Sequence, residues 1–228
     1  MNKGNITICI CASRSIIDKD KVVEVSHTLS KAGYTVAMEA DLCEKAIISP
    51  SDMKEIASTT VVACYPRAVN ALFDRLHLKP AEVVDIRNGS KEDVLSKFDL
   101  KDLEDPKVLK YLKDFPSKKG EDAWFPVLDR ERCSGCGKCY DFCLFGVYTM
   151  GDGEVEVTHP ANCKINCPAC ARTCPSKAVI FPKYPKSPIN GGLEDEETVA
   201  VNQTLLYNDA LRYRLSQRRA GVSLLKKN

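Results

Sequence analysis

The sequence predicts a small, mostly parallel α/β domain at the amino terminus, then a cysteine-rich α+β domain, and finally a carboxyl-terminal helix. Three observations support this prediction. Short β-rich apolar runs alternate with helical patterns over residues 1–98, most of the twelve cysteines fall between residues 133 and 174, and an apolar helical stripe occupies the tail. A chain of 228 residues, 44% hydrophobic and 28% charged, is long enough to bury such cores.

The amino-terminal region repeats a strand–helix unit. We predict strands over residues 6–10, 34–38, 59–64 and 82–86, and helices over residues 18–32, 51–57 and 67–78. A single helix between two strands carries the chain back along the sheet, so the next strand runs in the same direction as the last. Such strands are joined by crossover connections. The economical arrangement is therefore a small parallel sheet covered by helices, which we place within residues 1–98.

The rest of the chain divides by composition. Residues 99–125 are rich in Asp and Lys and predict a linker with one short helix, whereas residues 126–182 are dense in Cys, Gly and Pro, as in domains where metal replaces a large core. Residues 183–228 predict an extended, turn-rich segment and then a helix over residues 194–220. The apolar stripe of that helix should pack on this protein or on a partner.

Two cysteine runs dominate the second domain. The first, CSGCGKCYDFC, has the spacing C-x2-C-x2-C-x3-C, and the second, CKINCPACARTCP, has C-x3-C-x2-C-x3-C-P. Three thiolates on a tight turn can hold three corners of one cubane, while glycines let the backbone bend closely around it. The eight cysteines are Cys133, Cys136, Cys139 and Cys143 in the first run, and Cys163, Cys167, Cys170 and Cys174 in the second.

These runs resemble the two-cluster bacterial ferredoxin domain over residues 126–182. In that family the fourth cysteine of each run ligates the other cluster. The resemblance implies two [4Fe-4S] clusters: cluster I on Cys133, Cys136, Cys139 and Cys174, and cluster II on Cys143, Cys163, Cys167 and Cys170. It also fits a hairpin over residues 146–158 and a closing strand over residues 178–181. Leu144 replaces the proline that often follows the fourth cysteine of the first run.

Zinc is the alternative metal, since C-x2-C pairs also form tetrahedral zinc sites. Two interlocking runs of four cysteines without histidine favour iron–sulfur clusters over zinc. A disulfide framework is the other use of many cysteines, but the opening residues lack the zones of a secretory signal, which favours reduced thiols in the cytoplasm.

Four further cysteines lie in the amino-terminal domain. Each falls near the carboxyl end of a predicted strand or just beyond it: Cys9, Cys11, Cys43 and Cys64. Open α/β sheets bind their ligands along that edge, so a common site is one interpretation. The alternative is that they are small buried residues, because free cysteine is among the most buried residue types.

The segments around these cysteines resemble the amino-terminal domain of the flavin-containing component of heterodisulfide reductase. CICAS near the amino terminus, DLC at residues 41–43, and VVACYPRAVNALFDRL followed by VVDIRN carry the resemblance, which covers about residues 5–90. It implies a third [4Fe-4S] cluster held by Cys9, Cys11, Cys43 and Cys64. In that family a further domain binds flavin, but this sequence has no G-x-G-x-x-G after a strand, so no flavin is expected in this chain.

Other functions have little support in the sequence. No P-loop, Ser/His/Asp set or paired-acid motif is present, so we expect no catalytic residues. A net charge of +2 without a dense basic stripe does not favour nucleic-acid binding. No apolar run is long enough for a membrane span.

The predicted function is iron–sulfur electron transfer, as a ferredoxin-like subunit of a larger anaerobic, heterodisulfide-reductase-like oxidoreductase. The expected partners are redox proteins, including a flavin-containing subunit. The alternatives are a free ferredoxin shuttle and a redox-sensing iron–sulfur module. Whether the chain is an enzyme in its own right stays open, since no catalytic site is apparent.

Overall fold

The computed structural model describes residues 3–101 and 122–192, which belong to one compact unit, Met1–Leu193. The helix predicted over residues 194–220 and the short helix predicted in the linker lie outside the described residues. No helix within the described ranges is both long and apolar enough to cross a lipid bilayer.

A four-stranded parallel sheet forms the amino-terminal half, as the alternating strand–helix pattern predicted. Its strands are β1 Asn5–Cys9, β2 Thr35–Glu39, β3 Thr60–Ala63 and β4 Glu82–Asp85, in the order β2-β1-β3-β4. In the centre of the sheet, Ile8 of β1 pairs with Met38 of β2 and Val62 of β3. Ile8 and Val62 are fully buried, because the central strands of such a sheet are covered on both faces.

Five helices connect and cover these strands. They are α1 Lys19–Lys31, α2 Leu42–Ile48, α3 Met53–Ala57, α4 Pro66–Asp74 and α5 Lys91–Ser96. Helix α1 begins at the predicted position because the Asp18 carboxylate accepts a hydrogen bond from the Asp20 backbone N–H. Helices α2 and α5 were not predicted. They begin at Asp41 and Ser90, whose side chains cap them in the same way.

The second half consists of short elements around the cysteine runs. In chain order they are β5 Val127–Leu128, α6 Lys138–Phe142, β6 Tyr148–Gly151, β7 Glu154–Val157, a 3-10 turn at Pro160–Asn162, α7 Ala169–Thr173 and β8 Val179–Ile180. The predicted hairpin is present as β6 and β7. Asp152 and Gly153 both have positive φ in its turn, which is the conformation that matches the twist of the two strands.

An antiparallel ribbon of β5 and β8 joins the two halves. Val127 pairs with Ile180, and Leu128 pairs with Val179. Val127 and Ile180 belong to the core of the parallel sheet and its helices, whereas Leu128 and Val179 belong to the core around the cysteine runs. Neighbouring residues of a strand point to opposite faces, so one ribbon contributes to both cores.

Ion pairs also connect the two halves. The Arg67 guanidinium at the start of α4 donates from Nε to the Asp129 carboxylate at 2.5 Å and from Nη2 to the Lys177 carbonyl oxygen. The Arg67 and Asp129 side chains are only 17% and 11% exposed, so solvent screens this pair little. Arg14, which follows β1, binds the Asp122 carboxylate at 2.7 Å.

We expect Arg67→Met to lower the free energy of unfolding by about 2 kcal/mol, because the substitution removes charge-assisted hydrogen bonds between the two halves. This loss corresponds to roughly 4–8 °C in melting temperature for a chain of this size. The measurement is calorimetry on the loaded wild-type and variant proteins under anaerobic conditions at one scan rate. Lys79→Met, at an exposed lysine beyond α4, is the control. Equal melting temperatures for the two variants would contradict a structural role for Arg67.

Candidate metal centres

The first cysteine run forms a tight turn followed by one short helix. Gly135 and Gly137 have φ of 67° and 71°, a conformation that side chains rarely adopt. A Cβ at Gly135 would lie 2.8 Å from the Gly153 carbonyl oxygen, so the run is also pressed against the hairpin turn. Cys139 lies within α6, and Cys143 ends that helix with an extended backbone.

The second run repeats the same local arrangement. Cys163 follows the 3-10 turn, Cys170 lies within α7, and Cys174 ends that helix. The backbone angles of Cys174, φ −74° and ψ 114°, match those of Cys143, φ −79° and ψ 108°. In both runs the helix that carries the third cysteine therefore ends at the fourth cysteine, where the backbone becomes extended.

Electrostatic coupling links the fourth cysteine of each run to the other run. Burial raises the pKa of the Cys163 thiol to about 12, and electrostatic interactions with the neighbouring Cys170, Cys167 and Cys143 contribute to that rise. Burial likewise raises the pKa of Cys139 to about 11, with contributions from electrostatic interactions with Cys174 and Cys133. Since such coupling falls off with distance, each fourth thiol lies near thiols of the other run.

Hydrogen bonds to sulfur orient two of these thiols. The buried Tyr148 hydroxyl of β6 donates to Cys170 Sγ at 3.1 Å, and the Ala178 backbone N–H donates to Cys174 Sγ at 3.3 Å. Donors that are directed at ligand sulfurs stabilise the negative charge of a bound cluster and tune its reduction potential.

The other four cysteines meet at the carboxyl edge of the parallel sheet. Cys9 ends β1, Cys11 follows it, Cys43 lies in the first turn of α2, and Cys64 follows β3. All four line one small cavity of about 20 Å³. The sheet order changes direction between β1 and β3, and open α/β sheets bind ligands in the crevice at such a switch point.

Three of these cysteines, Cys9, Cys11 and Cys43, are buried, and Cys64 is partly buried. Burial raises the pKa of Cys9 to about 12 and of Cys64 to about 11, and it raises the pKa values of Cys11 and Cys43 as well. Cys11 has a φ of 48°, in the left-handed region that non-glycine residues rarely occupy. Metal ligation requires the thiolates, so the cost of removing these protons in a buried site has to be offset by positive charge.

Charged side chains of the two halves surround this cavity. Lys183, which follows β8, donates from Nζ to the Asp41 carboxylate at 2.7 Å and to the Ser13 hydroxyl at 2.8 Å. Arg87, which follows β4, donates to the carbonyl oxygens of Pro182 and Tyr184 at 2.9 and 3.1 Å. Asp41 and Lys183 line the cavity together with the thiols.

The chemistry of the donor set suits iron–sulfur clusters. All the donors in the cysteine runs are thiols, and the amino-terminal cavity offers four thiols with one carboxylate. Within residues 3–101 and 122–192, no three His, Cys, Asp or Glu side chains are arranged to hold a single metal ion.

Sequence reasoning identified the cysteines but missed the charged groups beside them. The structure brings Cys9, Cys11, Cys43 and Cys64 together at one cavity. It also places Cys163 near Cys143, Cys167 and Cys170, and Cys139 near Cys133 and Cys174. Asp41, Arg87 and Lys183 were not predicted as site residues. A cap signal was available for Asp41, because Glu44 follows it by three residues, but no local pattern marks Lys183 as buried.

The second half of the chain is similar to known iron–sulfur proteins. The 4Fe-4S dicluster domain family matches residues 116–178. An uncharacterized ferredoxin of Methanocaldococcus jannaschii is 38% identical over 73 residues, which are 32% of this chain and 50% of the relative. This chain thus spans half the length of that protein.

This chain matches a larger share of the length of two other relatives. A second uncharacterized ferredoxin of Methanocaldococcus jannaschii is 36% identical over 57 residues, which are 24% of this chain and 74% of the relative. Ferredoxin-3 of Nostoc sp. is 35% identical over 78 residues, 25% of this chain and 79% of the relative. These matches confirm the prediction of a ferredoxin-type iron–sulfur domain, and the chain belongs to the ferredoxins.

Proposed function

We propose that this ferredoxin-type electron carrier works as a fixed subunit of a larger oxidoreductase complex of the heterodisulfide-reductase type, in the cytoplasm of an anaerobic cell. The observation that carries the proposal is the four-thiol cavity at the edge of the parallel sheet, which Pro182 and Lys183, at and just after the end of the ferredoxin domain, also line. A small shuttle needs only its two-cluster domain, whereas this chain adds a second site of the same chemistry.

Within the ferredoxin domain, we assign the ligands in a crossed pattern. Cluster I would be held by Cys133, Cys136, Cys139 and Cys174, and cluster II by Cys143, Cys163, Cys167 and Cys170. The coupling of Cys143 to Cys163 and Cys170, and of Cys174 to Cys139, supports this assignment. The crossing would tie both runs into one folding unit, since neither cluster could form on one run alone.

At the sheet edge, we assign Cys9, Cys11, Cys43 and Cys64 to a third [4Fe-4S] cluster. Their convergence on one cavity supports this assignment, as does the strained backbone of Cys11, because strain of this kind collects at functional sites. Free thiols that only fill a core would have no reason to surround a cavity together with a buried ion pair.

Bound iron–sulfur clusters supply reversible uptake and release of single electrons, at potentials set by charge, hydrogen bonding and exposure. The chain's own residues supply the ligands, keep water away and place donors on sulfur. Tyr148 does so at Cys170, and the Ala178 N–H does so at Cys174. Cys9, Cys11 and Cys43 are buried, so the sheet-edge site is shielded from solvent.

The surface beside the first run supports attachment to a partner. Four large apolar side chains within six residues are exposed there: Tyr140, Phe142, Leu144 and Phe145. Leu144 is 92% exposed, and local clusters of this kind mark interaction sites. We propose that a redox protein covers this surface, and that flavin, where the complex uses it, is bound by a partner subunit.

The crossed assignment predicts that Cys143→Ala damages the cluster held mainly by the second run. The expected result is loss of the signal of cluster II in the electron paramagnetic resonance spectrum of the reduced protein, with the signal of cluster I retained. The reciprocal variant Cys174→Ala should remove the signal of cluster I, because the two residues have equivalent positions in their runs.

Two further variants assign the two electron paramagnetic resonance signals to their clusters. Each removes a cysteine that would ligate the same cluster in either assignment. Cys136→Ala should give the same spectrum as Cys174→Ala, and Cys167→Ala the same spectrum as Cys143→Ala. The opposite grouping, in which Cys143→Ala matches Cys136→Ala, would refute the crossed assignment.

The third cluster predicts about twelve irons per chain in anaerobically purified, fully loaded protein, where the ferredoxin domain alone would hold about eight. Cys64→Ala should lose about four irons and loosen the parallel α/β half, because ligation contributes folding free energy to the site. Iron analysis and amide hydrogen exchange measure the two effects.

The matched control is Val62→Ala, which opens a cavity in β3, the strand that precedes Cys64, without removing a thiol. It should keep about twelve irons although it destabilises the sheet by about 1–3 kcal/mol. A fully loaded wild-type protein with only about eight irons would show that the four cysteines are packing residues.

A further inference from the structure

A lysine from beyond the ferredoxin domain is buried at the sheet-edge site. The Lys183 side chain is 2% exposed, and the side chain of its partner Asp41 is 1% exposed. Lys183 follows β8 and Asp41 follows β2, so the pair joins segments that lie far apart in the sequence. Lys183 is also 3.6 Å from the Asp122 carboxylate.

Stability alone does not account for this pair. Removing two charges from water costs several kcal/mol per ion, and apolar replacements of buried ion pairs are often neutral or stabilising. Lysine and aspartate are almost never fully buried unless they are paired, and buried charges of this kind cluster at functional sites. The environment of Lys183 supplies such a function, because its side chain lines the four-cysteine cavity.

The charge balance of the cavity favours a cation there. Four thiolate ligands would outweigh the positive charge of an iron–sulfur core, and the Asp41 carboxylate would add a further negative charge beside it. Among the described residues that line the cavity, Lys183 alone carries positive charge. At short range in a poorly screened environment, one fixed positive charge strongly favours the more negative, reduced form of a cluster.

The backbone around Lys183 is held in place from both sides. The Arg87 guanidinium binds the carbonyl oxygens of Pro182 and Tyr184, which flank the lysine, and it lies 4.9 Å from the centroid of the Tyr65 ring. Asp41 is fixed in turn, because it caps α2 by accepting a hydrogen bond from the Glu44 N–H. The ammonium position is therefore set by the fold.

We propose that Lys183 sets the reduction potential of the cluster at Cys9, Cys11, Cys43 and Cys64, so that the segment after the ferredoxin domain completes the site of the α/β half. The inference rests on the third cluster proposed above. Lys183 acts as a positioned charge and is not a ligand. A purely structural lysine would contribute to stability but would leave the potential unchanged.

The test is a mediated electrochemical titration of the fully loaded protein, in which each cluster takes up one electron and the reduced fraction is followed by electron paramagnetic resonance. Lys183→Met removes the positive charge, so the reduced form of the third cluster becomes less stable. At a fixed solution potential we expect its reduced-to-oxidised ratio to fall at least about tenfold, a shift of about 59 mV for one electron. The two clusters of the ferredoxin domain should titrate as in wild type.

Two further variants separate charge from packing. Lys183→Arg keeps the charge and should titrate near the wild type. The double variant Asp41→Asn/Lys183→Met removes one charge of each sign, so its potential should return most of the way to the wild-type value. Asparagine also caps helices well, which preserves the start of α2. Lys186→Met, at an exposed lysine three residues away, is the control and should have no effect.

Lys183→Gln covers the case in which Lys183→Met does not hold its iron, because the glutamine amide can still donate to Asp41. Selective loss of about four irons in both neutral variants, but not in Lys183→Arg, would also support the charge role. Loss in Lys183→Arg as well would refute it.

The outcomes distinguish the two proposals. About twelve irons with an unshifted third potential in Lys183→Met would overturn the role of Lys183 and leave the third cluster in place. About eight irons in the loaded wild-type protein would overturn both.

Discussion

The β5–β8 ribbon is the constraint on which the rest of this structure depends. It is only two residue pairs long, yet one pair enters the core of the parallel sheet and the other enters the core of the cysteine runs. Because neighbouring residues of a strand face opposite sides, the ribbon connects the two cores directly. The chain leaves β8 directly toward the sheet edge, and Lys183 follows three residues later.

Charged groups at this junction complement the apolar ribbon. Arg67, Arg14 and Lys183 each bind a carboxylate of the other half, and all three pairs involve partly or fully buried side chains. Apolar contacts hold the halves together without specifying one register, whereas a buried cation requires its own partner because an unpaired charge is costly. The arrangement therefore favours a single relative position of the sheet edge and the segment after β8.

The sequence predicted those parts whose signals are local. The four parallel strands, helix α1 and the β6–β7 hairpin were predicted within a few residues, because each has a periodic apolar pattern or a turn such as Asp152-Gly153. Helices α2 and α5 were missed although Asp41 and Ser90 cap them, since both helices are short and their apolar stripes are weak. Of the two strands of the ribbon, β8 was predicted but β5 was not, because Val127–Leu128 is too short to show any periodicity.

The site was predictable in its ligands but not in its electrostatics, and the reason is physical. Cysteine spacing within a run is a local property, whereas the charge near a thiol depends on tertiary contacts. Burial raises the pKa values of all four sheet-edge thiols. Lys183 opposes this rise at Cys11 and Cys43, and Arg87 opposes it at Cys64.

Lys183 and Arg87 lie at the same junction, since Arg87 donates to the backbone carbonyl oxygens on either side of Lys183. Burial by itself would lower the pKa of Lys183, but electrostatic interactions with Cys43 and with the Asp41 carboxylate outweigh it and raise that pKa, so the ammonium keeps its proton. The sheet-edge site, which must hold thiolates away from water, thus obtains a positive charge from Lys183 in the segment after β8. The same contact that closes the fold also makes the thiolates of the sheet edge less costly to form.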